Sequence, residues 1–411
     1  MVTHRFADIR RQLHTSNTFW DDSTAHGLVD IVATDMRDGI VHDRDGRSIV
    51  NFSSYSYLGL DSDPRILAGA HRGLDETATV NSSISRMRIR LALLEEAEQR
   101  LTATFGAQAV TVSSCAAAAW ATLPLLASGE LTDGTPPLVV FDKNAHFCLN
   151  AMKPLVAEET ELVTIGHNDV EALEELCRTH DTVAYVADGV YSTGGGAPLA
   201  ALHRLQDRYG LFLYFDEAHG ISTVGAGGRG YVLDATPGWR DRTLVIASLN
   251  KGFGASGGVI FYGPPGDHSR TPTLLRTSGP LMWSQRTNTA GLGAIVAACD
   301  LHDDGTVDTL QRALRARVDL FDSLVETDLS GDGLPIRFVD IGREDVTVAV
   351  ARDMLEAGFY TSPIFFPIIR RGSAGLRLML RADLAPETIH RFADTLTASL
   401  AAHRRGAEQP A

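Results

Sequence analysis

The stretch Ser248-Leu249-Asn250-Lys251-Gly252-Phe253-Gly254-Ala255-Ser256-Gly257-Gly258 closes the apolar run Thr243-Leu-Val-Ile-Ala, which reads as a buried strand. One lysine sits among small residues, with a hydroxyl three positions before it and four glycines after it. A lysine in solvent needs none of this. A lysine whose amine forms a Schiff base does, because the amine must be held in place and partly desolvated to become nucleophilic. Taken alone, the segment also suits an ordinary loop lysine, and what lies upstream decides between the two.

Upstream, Leu213-Tyr214-Phe215-Asp216-Glu217-Ala218-His219-Gly220 ends an apolar strand in an acid, with a histidine three residues on and Lys251 a further 32 residues away. An acid buried at a strand's carboxyl end can hold a pyridine-type nitrogen protonated, turning that ring into an electron sink. A strand-end Asp that caps the next helix explains the acid alone, but not the acid, histidine, hydroxyl and lysine together. Between 107 and 262, apolar runs alternate with helical stretches: Ala109-Val-Thr-Val, Pro137-Leu-Val-Val-Phe, Leu162-Val-Thr-Ile, Thr182-Val-Ala-Tyr-Val, Leu211-Phe-Leu-Tyr-Phe, Thr243-Leu-Val-Ile-Ala and Gly258-Val-Ile-Phe-Tyr. This alternation predicts an α/β fold with a mainly parallel sheet covered on both faces. Its ligand site is expected outside the carboxyl ends of the strands.

Residues 1–45 suggest an N-terminal helix, with spacing around Phe6, Ile9 and Leu13, followed by a connecting arm. Residues 90–106 form an amphipathic helix ended by Gly106. Residues 285–326 read as a long connecting helix. Beyond it, Ile336-Arg-Phe-Val-Asp-Ile, a helix over 346–357, Gly375-Leu-Arg-Leu-Met-Leu-Arg and a helix over 385–402 give an α+β pattern, with a polar tail from Arg404. The expected organisation is an N-terminal arm over 1–50, a large domain over 51–290, and a connecting helix with a small domain over 291–411.

The chain has 411 residues, a 44% apolar fraction and a formal net charge of -14. These values suit a globular protein and disfavour a nucleic-acid surface. No apolar run is long enough for a membrane span, and the charged N-terminus does not resemble a signal peptide. Cys115, Cys148, Cys177 and Cys299 are scattered without CxxC spacing, which argues for reduced thiols in the cytoplasm and against a metal site.

The motifs Asp216-Glu-Ala-His-Gly, Val224-Gly-Ala-Gly-Gly-Arg-Gly230, Ser248-Leu-Asn-Lys-Gly-Phe-Gly and Asn51-Phe-Ser-Ser-Tyr-Ser-Tyr-Leu-Gly-Leu60 resemble those of the α-oxoamine synthases. These are pyridoxal 5'-phosphate (PLP) enzymes of fold type I, the aspartate aminotransferase fold. The likeness runs from about Asn51 to Arg381 and implies decarboxylative Claisen condensation of an amino acid with an acyl thioester, carried on CoA or an acyl-carrier protein. The product would be an α-amino ketone. An aminotransferase or aldolase-type lyase shares the acid, lysine and phosphate loop and is the alternative. By resemblance, Lys251 is the Schiff-base lysine, Asp216 the partner of the pyridine nitrogen, and His219 the contact of the phenolic oxygen. His146 stacks on the ring, and Asp188 and Ser192 line the pocket. Ser113-Ser114-Cys115 and Ser248 bind the phosphate. Ser284 matches a hydroxyl supplied by the neighbouring subunit of a homodimer, and Arg377 holds the substrate carboxylate, with Arg381 as a second candidate.

The chain also departs from that family. Thr79-Val-Asn-Ser-Ser-Ile-Ser-Arg-Met-Arg-Ile-Arg90 replaces a Gly/Ser-rich stretch, Tyr55 replaces an Asn, Ser114-Cys115 replace Gly and an aromatic, and Asp188 replaces Glu. Arg86, Arg88 and Arg90 are expected to form a solvated helix start, or else to face a phosphopantetheine arm.

Overall fold

All seven apolar runs between 107 and 262 become strands of one sheet. In the computed structural model, which describes residues 6, 9–235, 238–366 and 368–407, the chain divides into two units. One holds 63–192 and 196–311, and the other holds 1–62, 193–195 and 312–411.

In the first of these units the sheet order is Ala109–Val112, Gly258–Phe261, Thr243–Ser248, Phe212–Asp216, Val183–Asp188, Leu138–Asp142, Leu162–Ile165. Gly258–Phe261 runs antiparallel to both its neighbours, and the remaining neighbouring pairs are parallel. Every residue of the inner strands is buried, while the edge strand Leu162–Ile165 is partly exposed. That is why the inner strands read as unbroken apolar runs rather than alternating ones. Parallel direction brings the strand ends Asp142, Asp188, Asp216 and Ser248 to the same edge of the sheet.

Helix Pro64–Thr77 begins with Asp63, whose side chain accepts the Arg65 N–H at 2.8 Å, and with a proline in its first turn. It packs backbone to backbone on helix Thr289–Asp303. A Cβ added at Gly73 would lie 2.1 Å from the Thr289 carbonyl oxygen, and one at Gly293 would lie 2.1 Å from that of Gly69. The helix expected over 90–106 spans Ala92–Phe105, closed by Gly106 at φ 65°. The single long helix expected over 285–326 is instead two, Thr289–Asp303 and Thr306–Leu324. Gly305 at φ 79° ends the first, and Asp304 Oδ1 accepts the Thr306 N–H at 2.8 Å to start the second.

In the other unit, Ala33–Arg37, Ile40–Asp43 and Ser48–Asn51 form an antiparallel meander, with Phe359–Tyr360 parallel at its edge. This corrects the expected connecting arm. Asp38 and Gly39 take successive positive φ values of 51° and 73°, as a two-residue hairpin turn requires. Ile336–Gly342, Ala374–Met379 and Ser362–Ile364 make a second, three-stranded sheet. Helices Ile9–Ala25, Glu344–Glu356 and Pro386–Ala407 belong to the same unit. Phe6 precedes the first helix rather than joining it. The last helix continues to Ala407, past the expected end, and 408–411 lie outside the described residues. Phe52 and Phe392 stack in the core with centroids 3.9 Å apart, and Phe359 meets both rings edge-on. Arg337 is fully buried and bonded to Asp322 at 2.6 Å and Asp332 at 3.0 Å, so its charge is satisfied inside the fold.

The glycine contact between Pro64–Thr77 and Thr289–Asp303 leaves no room for a methyl group. Gly293→Ala is expected to cost about 2 kcal/mol or more of stability, read as a lowered denaturant midpoint. An unchanged midpoint would show that the two helices do not approach this closely.

Candidate active site

Three strand ends carry aspartates with relative exposures of 0% (Asp142), 2% (Asp188) and 3% (Asp216). Asp142 accepts from the Asn144 and Asn168 backbone N–H groups at 2.7 Å each and from the Tyr185 hydroxyl at 2.9 Å, and it lies 3.1 Å from His167 Nδ1. These bonds tie down the loops around it, so Asp142 serves the scaffold. Asp188 and Asp216 are register partners on adjacent strands. Burial, and then the charge of Asp216, raises the Asp188 carboxyl well above the usual carboxylate range. Asp188 Oδ1 accepts the backbone N–H of His146 at 2.9 Å, which anchors that histidine. The His146 Nδ1 in turn accepts the Cys148 backbone N–H at 3.3 Å, capping the short helix Phe147–Asn150.

Asp216 Oδ1 accepts the Ala218 N–H at 2.9 Å and the Cys115 thiol at 3.4 Å, and Oδ2 accepts the Cys148 thiol at 3.3 Å. Lys251 Nζ lies 2.9 Å from His219 Nε2. The sequence has three lysines, Lys143, Lys153 and Lys251. Lys143 is exposed, and Lys153 bonds Thr164 at 2.9 Å over the Phe141 ring. Lys251 follows the inner strand Thr243–Ser248 by three residues, and its amine is the one set against an imidazole next to the strand-end acid Asp216.

Ser114, rather than Ser113, caps helix Cys115–Ala127, its hydroxyl accepting the Ala117 N–H at 3.1 Å. Both serines are exposed, at the amino end of a 13-residue helix, where unpaired N–H groups and the helix dipole favour an anion. Gly258 makes this loop possible, since a Cβ there would lie 2.5 Å from the Ser114 carbonyl carbon and 2.7 Å from the Cys115 nitrogen. Gly252 has a similar role, because a Cβ there would meet Thr223 Oγ1 at 2.4 Å. The glycines around Lys251 therefore let chain pass close to chain. An amine, an imidazole beside it, a buried carboxylate and an anion-binding helix end are the donor set that PLP requires, and these residues fit it.

The remaining expected residues fall as follows. Ser248 is buried, and its hydroxyl donates to Asn250 Oδ1. Ser192 is half-buried, and Ser284 is exposed at the end of helix Gly279–Trp283. Arg377, in the other unit, donates to the Tyr55 hydroxyl at 3.3 Å and lies over that ring. Arg381 is buried and held by Asp383 at 2.6 Å and the Ser54 hydroxyl at 3.0 Å, so it is a scaffold residue. Arg86 is also buried, paired with Glu98 at 2.9 Å and bonded to the Thr111 carbonyl. It therefore leaves the expected basic cluster, while Arg88 and Arg90 remain exposed, ahead of a helix that begins at Ala92.

A family model described as aminotransferase class I and II matches residues 47–396. The chain belongs to the aminotransferase class I and II family. Within it, the chain is an α-oxoamine synthase. It is 30% identical over 371 residues to an 8-amino-7-oxononanoate synthase of Maricaulis maris, covering 88% of this chain and 89% of that one. The fold matches a chain described as SPT with PLP internal aldimine, with TM-score 0.83, 20% identity, and coverage of 96% and 99%. It also matches a serine palmitoyltransferase of Sphingomonas wittichii, with TM-score 0.80, 21% identity, and coverage of 96% and 99%. The cofactor of this family is PLP.

Two contributors to the α-oxoamine synthase site escaped the sequence reading. Cys148 stands two residues after His146 and reaches Asp216. Glu217 is fully buried, and its carboxylate accepts the Tyr231 N–H at 3.2 Å and the Val232 N–H at 2.5 Å. In this way it pins the glycine-rich turn 224–230. An acid directly after the strand-end aspartate was the available signal.

Burial lifts the Glu217 carboxyl from its ordinary value of 4.5 to about 8. The folded state therefore holds a proton that the unfolded chain loses earlier, and stability falls as pH rises from about 4.5 to 8. The melting temperature should show this downward slope, and Glu217→Gln should flatten it. An equal slope in both proteins would assign the effect to other groups.

Proposed function

We propose that this α-oxoamine synthase condenses an amino acid with an acyl thioester, releasing CO₂ and a free thiol and forming an α-amino ketone. The observation that carries the reading is the placement of Lys251 Nζ against His219 Nε2 at the edge of the sheet where Asp216 is buried. PLP, when bound, supplies an electron sink for the carbanion at the amino acid's α-carbon. Lys251 holds the cofactor and then moves the α-proton, with His219 as its immediate proton-sharing neighbour. Asp216 would accept from the ring nitrogen, inside a site where burial strengthens that bond. His146, anchored through Asp188, would hold the ring by its face. Ser113, Ser114, the amide of Cys115 and Ser248 hold the phosphate, and Ser192 lines the pocket. Arg377 suits bidentate capture of the substrate carboxylate.

The same reading includes a homodimer. Trp283 and Phe147 are 78% and 75% exposed and Trp120 is 50% exposed, an unusual display of large apolar rings. Ser284 follows Trp283 directly, which supports its assignment to a neighbouring subunit's phosphate. A cytoplasmic location accords with four free cysteines, and no helix among the described residues is long and apolar enough to cross a membrane.

Supplied with amino acids and acyl-CoAs, the enzyme should release CO₂ and thiol in equal amounts for its true pair, and Lys251→Ala should lower that rate by about 10³-fold. Transfer of the amino group to a keto acid without thiol release would favour an aminotransferase instead. Light scattering of the purified protein should give twice the 44.3 kDa chain mass, whereas a monomer would remove Ser284 from the site.

A further inference from the structure

Two sulfurs bracket the carboxylate at the end of Phe212–Asp216. Cys115 comes from the first turn of helix Cys115–Ala127 and Cys148 from Phe147–Asn150, so two separate helices each deliver one thiol to one acid. Their sulfurs lie 3.4 Å from Oδ1 and 3.3 Å from Oδ2, respectively. The two sulfurs and a carboxylate oxygen all lie within 4.8 Å of one another. Cys148 Sγ is also 3.1 Å from His146 Nδ1, so one thiol stands between the acid and the imidazole.

We propose that Cys115 and Cys148 are positioning residues that act through Asp216, donating to its two oxygens so that the carboxylate keeps the rotation in which it receives the cofactor's ring nitrogen. The proposal rests on the PLP reading of the site. An ionised carboxylate has about four acceptor positions, so the two thiols and the Ala218 N–H leave room for a ring N–H. The thiols are suited to donating because they stay protonated. The neighbouring Cys148, burial and the Asp216 charge all raise the Cys115 thiol. The neighbouring Cys115 pulls Cys148 down, but burial and Asp216 outweigh it, and the net shift is upward. A thiolate would be needed for metal ligation or oxidation, whereas an S–H is needed to donate. A thiol donor at Cys115 also accounts for one departure from the family pattern, a small side chain where an aromatic is common.

The test compares the full-length double variants Cys115→Ala/Cys148→Ala and Cys115→Ser/Cys148→Ser with the parent protein. PLP is the probe, titrated into apoenzyme and followed by its dissociation constant and by the visible band of the bound cofactor. The alanine pair should bind PLP about tenfold more weakly, as expected for lost bonds to a charged group, and should shift the band. The serine pair, which still donates, should bind within about threefold of the parent and keep its band. Parent-like binding and spectrum in the alanine pair, or a serine pair as impaired as the alanine pair, would overturn the proposal. If the alanine pair lacks a folded near-UV circular dichroism signal, Cys115→Ala and Cys148→Ala are tested singly by the same criteria. Failure of the parent itself to bind PLP would instead sink the cofactor reading.

Discussion

Two carboxyl groups on neighbouring strands, in register and almost without solvent, set the terms for the rest of the site. Asp188 and Asp216 face a mutual repulsion that water would otherwise screen. The fold meets it asymmetrically. Asp188 is driven toward its neutral form and spends its hydrogen-bonding capacity on the backbone of His146. Asp216 is surrounded by donors, one amide and two thiols. A pair of like acids thereby becomes an anchor for His146 and, in the proposed function, an acceptor for a ring nitrogen.

Around that pair, close chain approach does the positioning. Gly258 lets an antiparallel strand press against the start of helix Cys115–Ala127, and Gly252 lets the turn after Lys251 lie on Thr223. These contacts relate the anion-binding helix end, the lysine and the strand-end acid through short, rigid connections within one unit of the chain. Glu217 adds a clamp on the glycine-rich turn that follows. Preorganisation of this kind is what a site needs if developing charge is to be stabilised without rearrangement.

Much of this was legible in the sequence, for identifiable reasons. All seven sheet strands were readable as apolar runs, because six of them are buried along their whole length. Lys251, Asp216 and His219 were readable because chemistry fixes their types and the sheet edge fixes their spacing. Most of the missed features depend on partners distant in sequence. Nothing near Arg86 announces that Glu98 and the Thr111 carbonyl will bury it. Nothing near Cys115 announces a second thiol from 33 residues away converging on the same acid. The hairpin at Asp38-Gly39 was a missed local signal, since both turn residues favour positive φ.

Lys251 is the proposed anchor of PLP at this sheet edge. Borohydride reduction of the PLP-loaded protein followed by peptide mass mapping addresses it directly, because Lys143, Lys153 and Lys251 are the only lysines in the sequence. A cofactor-derived mass is expected on the peptide containing Lys251 alone. A reduced adduct confined to Lys143 or Lys153, or no adduct in protein that has bound PLP, would contradict it.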